Sequence, residues 1–253
     1  MDNRYDQKSA FFIINGALND FLPARMRFKT IPVHFRGRQS VKHLIESLGI
    51  PHVEVGRIII AQNQVDFAYL VNHLEQVRVY PYNEPLALPN APHFPLDEAA
   101  RFVVDNHLGK LAAYLRMLGF DTIYRSDIQD DELAAIACQE ERILLTRDHR
   151  LLMRACIQYG YWVRSKLPQI QIREIIQRWN LAPLARPFRR CIRCNGLLLP
   201  VDKEQIQDRL QPLTRLYFEE FRICPVCQQI YWKGSHFERM NHFIVDTLDE
   251  IAK

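Results

Sequence analysis

Residues 101–152 read RFVVDNHLGKLAAYLRMLGFDTIYRSDIQDDELAAIACQEERILLTRDHRLL, and their periodicity decides the fold class. "RFVV" is a short apolar run with the length of a buried strand. "HLGKLAAYLRML" then sets Leu108, Leu111, Ala112, Leu115 and Leu118 at helical spacing, with Gly119 as the stop. "DTIYRS" reads as the next strand, "DDELAAIACQE" as the next helix and "RILLT" as a third strand. Downstream, "RLLMRACIQYG" is predicted helical, "YWVRS" a strand and "QIQIREIIQRW" a last helix. Strand–helix alternation of this kind implies a mainly parallel, three-layer α/β sheet.

Acids punctuate the ends of these strands. Asp105 follows "RFVV" and Asp148 follows "RILLT", which puts both at C-terminal strand ends, the edge where open α/β sheets bind ligands. Asp127 follows "DTIYRS", and Asp130 and Asp131 open the next helix. Singly, each has a plainer reading, because Asp is a preferred helix N-cap worth about 1 kcal/mol. Gathered on one edge, carboxylates repel and need a counter-charge, which Mg²⁺ or Mn²⁺ provides with a few carboxylates and waters. That arrangement suits phosphodiester cleavage.

Charge points the same way. The net charge is +4, yet Arg142 to Arg193 hold twelve Lys/Arg against two acids, Asp148 and Glu174. Such a stripe is the footprint of a polyanion-binding surface, with a merely solvated basic face as the competing reading.

The six cysteines are of two sorts. Cys138 and Cys156 fall inside apolar helical patterns and are expected to act as small buried hydrophobes. Cys191 and Cys194 (CIRC) and Cys224 and Cys227 (CPVC) form two knuckles with 29 residues between them, followed by "GLLLP" and "QIYWKG". This is zinc-ribbon spacing, with four thiolates filling a tetrahedral, structural site. His236 is then superfluous as a ligand and reads as RNA-facing or structural. His107 and His149 lie beside candidate acids, as general acids or as solvent-facing side chains. Trp162, Trp179 and Trp232 are expected in the core, although Tyr231 and Trp232 beside Lys233 could stack on a base.

Ahead of this lies a smaller α+β unit over residues 10–82. "AFFIINGAL" and "TIPVHFRG" read as strands, the connection Asp20 to Lys29 carries no assignment, and "QSVKHLIESLG" is a helix ended by Gly49. "RIIIAQNQVDF" and "QVRVYPY" supply later strands, the order of a β-grasp. The segment resembles ThiS/MoaD-type sulfur carriers in "SVKHLIESLGIPHVEVGRIII" and "VRVYPY". The carriers' terminal Gly-Gly is absent where the chain runs on as "YPYNEPLALPNAPHFP", so a docking or scaffolding role is implied instead. Pro85, Pro89, Pro92 and Pro95 mark a linker. No apolar run reaches the ~20 residues that span a bilayer, and residues 1–20 lack a signal-peptide pattern, so no membrane association and a cytoplasmic location are expected.

Residues 101–152, with "RCIRCNG", "CPVC" and "YWKGSHFERM", resemble the mutator-seven C-terminal RNase domain family, a PIN-like nuclease fold with a zinc ribbon, often behind a ubiquitin-like domain. The resemblance implies domains at 1–84 (ubiquitin-like β-grasp), 85–98 (linker), 99–186 (PIN-like nuclease) and 187–243 (zinc ribbon), with a tail at 244–253. It implies a hydrolase cleaving RNA with a divalent metal, Mg²⁺ or Mn²⁺, held by Asp105, Asp130 and Asp148. Asp131 rivals Asp130 one residue on, and Asp127 occupies a supporting position. Arg147, Arg186, Arg189, Arg190 and Lys233 are the implied RNA contacts, and the ubiquitin-like domain could take a protein partner. No acid follows "YWVRS", where some PIN nucleases carry a fourth. A non-catalytic RNA- or ribonucleoprotein-binding adaptor is the alternative.

Overall fold

The computed structural model describes residues 7–82 and 100–252; the proline-rich linker expected at 85–98 lies outside the described residues. In chain order the elements are β1 (Gln7–Ile14), β2 (Thr30–Arg36), α1 (Val41–Ser47), β3 (Val55–Ile60), β4 (Asn63–Val65), β5 (Gln76–Pro81), β6 (Arg101–Val104), α2 (Gly109–Met117), β7 (Asp121–Ile123), α3 (Asp130–Gln139), β8 (Ile143–Thr146) and β9 (Gly160–Trp162). They continue with α4 (Pro168–Arg178), β10 (Leu199–Val201), α5 (Lys203–Ile206), α6 (Pro212–Tyr217), β11 (Phe221–Ile223), β12 (Ile230–Trp232) and α7 (Ser235–Ala252). Among the described residues two compact units result, one of residues 7–82 with 130–163, the other of residues 100–129 with 164–252.

In the first unit a five-stranded sheet has the order β2-β1-β5-β3-β4. β1 and β2 form an antiparallel pair, and β5 enters parallel to β1 with Phe11 opposite Gln76. A first hairpin, one helix and a last strand slotted into the middle is the β-grasp arrangement. Period-two patterning drives it. Ala10, Phe12 and Ile14 of β1 and Ile31, Val33 and Phe35 of β2 point inward, against Val41, Leu44 and Ile45 of α1. Each fully buried Phe or Ile side chain contributes about 1.5–3 kcal/mol. Ser40 Oγ caps α1 by accepting the His43 N–H at 3.3 Å, and Gly49 closes it at φ 86°.

The same unit holds α3, β8 and β9. β8 is buried at all four positions and runs parallel to β9, with Leu144 opposite Gly160. A parallel strand covered on both faces needs such an unbroken apolar run. The β-grasp packs on this segment: His52 Nε2 meets the Ile157 carbonyl at 2.8 Å, and the Trp162 N–H donates to Glu54 Oε1 at 2.8 Å. Gly160 lets Leu152 pack close against this strand, since a Cβ there would stand 2.6 Å from Leu152 Cδ2.

Two expectations fail here. "RLLMRACIQYG" is not a helix: only a 3-10 turn forms at Leu151–Met153. The reason is Cys156, which is neither buried nor a free thiol but disulfide-bonded to the half-buried Cys138 on α3. That bond and the turn closed by the Ile157 N–H on the Arg154 carbonyl fold the chain back after one turn, while Leu151 and Leu152 keep their places in the core.

In the second unit β6 and β7 pair in parallel, with Arg101 opposite Asp121. Phe102 of β6 meets Phe120 and Trp179 edge-on, at 5.8 and 6.5 Å between ring centroids. α2 packs on α4, and α4 on α7. Gly119 takes φ 92° where a Cβ would collide with the Arg186 carbonyl at 2.1 Å. β10, β11 and β12 make a three-stranded antiparallel sheet. The residues after "YWKG" form α7, whose Phe243 stacks on Tyr114 at 4.7 Å and Phe237 on Phe188 at 4.4 Å. Parallel strand pairs alternating with helices, a β-grasp and a cysteine ribbon make up the fold class read from the sequence. No helix of the described residues is long and apolar enough to cross a membrane.

Candidate functional site

Cys191, Cys194, Cys224 and Cys227 bring their sulfurs within 4.8 Å of one another; among the described residues no other group of three or more His, Cys, Asp or Glu donor atoms converges so closely. Two knuckles with matched backbone bonds place them. The Cys191 N–H donates to the Gly196 carbonyl and the Asn195 N–H to the Cys191 carbonyl. The Cys224 N–H likewise donates to the Gln229 carbonyl and the Gln228 N–H to the Cys224 carbonyl. Asn195 and Gln228 turn through positive φ, 72° and 60°. A Cβ on Gly196 would lie 2.9 Å from Cys224 Sγ, so only glycine lets the second knuckle close on the first.

The donor set fits a tetrahedral metal such as zinc. Sγ–Sγ distances of 3.5 Å (Cys191–Cys227) and 3.3 Å (Cys194–Cys224) sit just under the ~3.8 Å edge of a tetrahedron with Zn–S bonds of ~2.3 Å. Burial opposes ionisation of Cys191, yet hydrogen bonds from Tyr231, the Cys194 backbone and the other thiols bring it down to about 7, while burial and its neighbours push Cys194 up to about 12. The Tyr231 hydroxyl lies 3.1 Å from Cys191 Sγ, so this side chain adds a hydrogen-bonding group to the cysteine cluster. Arg116, 5% exposed, donates to the Ile192 and Arg193 carbonyls of the first knuckle at 3.2 and 2.9 Å. Burial lowers its pKa, and the nearby Cys194 and Cys191 sulfurs and Asp121 oppose that shift. Neither Tyr231 nor Arg116 was legible as a neighbour of the cysteines, being 40 and 76–77 residues from the atoms they meet.

Two of the candidate acids, Asp105 and Asp148, lie just past the ends of β6 and β8. Asp148 is exposed two residues beyond β8, with its N–H on Thr146 Oγ1 and its Oδ1 accepting the Arg150 N–H, both at 2.9 Å. Asp105 is 7% exposed immediately after β6, and its Oδ1 accepts the His107 N–H at 3.1 Å. Both therefore make the short-range cap bonds of the plainer reading. Asp130 and Asp131 lie in the first turn of α3. Asp131, its side chain 92% exposed, pairs with Arg154 at 2.6 Å, and Asp127 faces Arg125 at 3.7 Å.

An aromatic clamp holds the Asp148 turn. Trp162 Nε1 donates to the Arg147 carbonyl at 3.1 Å, and the His149 ring packs edge-on against Trp162 and Phe21, with centroids 5.8 and 6.0 Å apart. Trp162 is thus half-buried against this turn, Trp232 is 37% exposed, and only Trp179 is the core residue all three were expected to be. His107 and His236 face solvent. Of the basic residues, Arg147, Arg186 and Arg189 are exposed. Arg190 is tied to Asp121 and the Asn195 carbonyl, and Lys233 to Glu220.

A family model for the Mut7-C RNAse domain matches residues 100–244, and one for the Mut7-C ubiquitin domain matches residues 7–87. The chain belongs to the Mut7-C RNAse domain family, with a ubiquitin-like domain in front of the RNase domain. No curated protein and no solved structure matches the sequence.

Proposed function

We propose that the protein is a divalent-metal-dependent ribonuclease that hydrolyses phosphodiester bonds within RNA, with its nuclease domain at residues 99–186 and a zinc-stabilised ribbon at 187–243. The observation that carries this is the membership of residues 100–244 in an RNase family. Asp105, Asp130 and Asp148 are the acids we assign to the metal, with Asp127 and Asp131 in support. The donor chemistry suits a hard cation, which takes carboxylate oxygens and keeps several waters. Asp130 and Asp148 are exposed and have no cationic partner among the described residues, whereas Asp131 is engaged by Arg154.

Mg²⁺ or Mn²⁺ held by Asp105, Asp130 and Asp148 would supply Lewis-acid chemistry there. The chain's own share is positioning. The Arg150 N–H and the Thr146 hydroxyl fix the Asp148 turn, and Trp162 holds it from the Arg147 carbonyl. Arg147, Arg186 and Arg189 offer guanidinium groups to phosphates. Arg190 and Lys233 are paired with Asp121 and Glu220, acids with which RNA phosphates would compete. The ubiquitin-like domain would take a protein partner, and the protein would act in the cytoplasm.

Incubation of purified protein with RNA, with and without Mn²⁺, tests the assignment when Asp148→Asn is run beside the unmodified chain. Asn caps about as well as Asp, so the fold should persist while cleavage is lost. Full cleavage by Asp148→Asn would return Asp148 to a cap. RNA binding without any cleavage by the unmodified chain would favour the second reading, a non-catalytic RNA-binding adaptor, which the backbone bonds accepted by Asp105 and Asp148 already suit.

A further inference from the structure

Phe28 is the most exposed large hydrophobic side chain among the described residues, 81% accessible, on a backbone with φ 56°, where side chains rarely settle. Its display is built from beneath. Asn19, 1% exposed, accepts the Phe28 N–H on Oδ1 at 2.7 Å and donates its amide to the Ile14 and Gly16 carbonyls at 2.8 and 3.1 Å. Arg27 Nε ties the loop from the other side through the Leu22 carbonyl at 2.9 Å. Arg25, Arg27 and Lys29, all exposed, are its neighbours along the chain, and no acid lies between Asp20 and Thr30. At the start of the same loop Phe21 packs on Trp162, centroids 4.9 Å apart, and on His149, the neighbour of Asp148.

We propose that residues 21–29 of the ubiquitin-like domain are an RNA-binding arm of the nuclease: Phe28 stacks on an unpaired base, and Arg25 and Lys29 neutralise the flanking phosphates of the strand that Asp148 acts on. An exposed ring among cations is the recurring platform for single-stranded nucleic acid, because every base offers a π-face. An apolar protein partner or a lipid core would call for a contiguous apolar patch, whereas the sequence on either side of Phe28 alternates with exposed Arg25, Arg27 and Lys29. The anchoring of the loop by Phe21 on the turn that carries Asp148 favours RNA as the occupant. The ubiquitin-like domain then takes part in substrate binding directly, a role that rests on the ribonuclease reading.

The test is fluorescence anisotropy of a labelled oligouridine of about twelve nucleotides, within the range one single-strand site covers, on full-length Asp148→Asn protein over a salt series. Adding Phe28→Ala should weaken binding about ten-fold. Adding Arg25→Ala with Lys29→Ala should lower the slope of log K against log salt by about 1.4, roughly 0.7 for each phosphate no longer neutralised. Melting temperatures should not move, because these side chains lie in solvent. Unchanged affinity and slope in both variants would overturn the arm and leave the ribonuclease standing. Unmodified protein that neither binds nor cleaves RNA would overturn both. Loss confined to binding of phosphatidylserine vesicles would reassign the loop to a membrane surface.

Discussion

Glu54 and Trp162, 108 residues apart, are joined by one hydrogen bond: Glu54 Oε1 accepts the Trp162 backbone N–H at 2.8 Å. Glu54 is 2% exposed in the turn that leads into β3, and Trp162 ends β9 and clamps the Asp148 turn. With the bond from His52 to the Ile157 carbonyl, this contact makes the ubiquitin-like domain part of the body that carries Asp148.

Glu54→Ala should therefore destabilise the protein by about 1–3 kcal/mol, the cost of leaving a desolvated N–H unmet. In a domain of this size the melting temperature should fall by several degrees. Glu54→Gln keeps a carbonyl acceptor and should recover part of the loss. Thermal melts of the three proteins decide it, and an Ala variant that melts like the unmodified chain would show that the bond adds nothing.

The Cys138–Cys156 disulfide closes a separation of 18 residues, for which chain entropy alone gives about 3 kcal/mol. Reduction, or Cys138→Ser, should lower the melting temperature, with the greatest loosening at 150–158. Intact-mass measurement before and after reduction establishes the bond. A thiol pair in freshly purified protein, with no change in stability on oxidation, would remove it from the account.

One zinc per chain is expected at Cys191, Cys194, Cys224 and Cys227. The ribbon core is small, essentially Ile206, Leu210, Phe221 and Ile230, so metal binding should supply much of its folding energy. Cys194→Ser should lose the zinc and increase amide exchange across 187–243, with little change in β1 to β5. Elemental analysis without zinc in chelator-free protein would exclude the site.

If Asp105, Asp130 and Asp148 serve one metal, Asp105→Asn with Asp148→Asn should cost little more activity than either alone, because residues acting as a unit are not additive. Asp131 is already paired with Arg154, so Asp131→Asn should cost far less than Asp130→Asn. Cleavage rates at saturating Mn²⁺ separate these cases. The reverse ranking would move the metal ligand one residue along α3.

Glu75 accepts the Tyr69 hydroxyl and the Asn72 N–H and amide at 2.7–2.9 Å. Burial raises its pKa, but these three donors outweigh it and hold the carboxyl below its ordinary range. A folded pKa below the unfolded one contributes stability above the unfolded pKa of about 4.3, and that contribution disappears as pH falls through the folded value. Glu75→Gln should therefore flatten the loss of stability below about pH 4, measured by urea melts across that range. Parallel acid limbs in the two proteins would contradict the assignment.

Patterns within a few residues were legible beforehand. The period-two strands of the β-grasp, the unbroken apolar run of "RILLT", the helical spacing from Leu108 to Leu118 and the two C-x-x-C knuckles each report on a local geometry that neighbouring residues alone impose. The acids at strand ends were legible for the same reason, since an Asp directly after a buried strand has nowhere else to go.

What only the tertiary structure decided involves partners far apart in the chain. Apolar spacing in "RLLMRACIQYG" could not reveal that Cys156 would be claimed by Cys138, a bond that overrides helical propensity. Nor could the sequence show Tyr231 turned onto Cys191, Glu54 bonded to Trp162, or Asn19 holding Phe28 out in water. Local sequence sets which backbone shapes are cheap. Which side chains meet is settled by burying the whole set at once, where a single satisfied or unsatisfied polar group outweighs a residue's own preference.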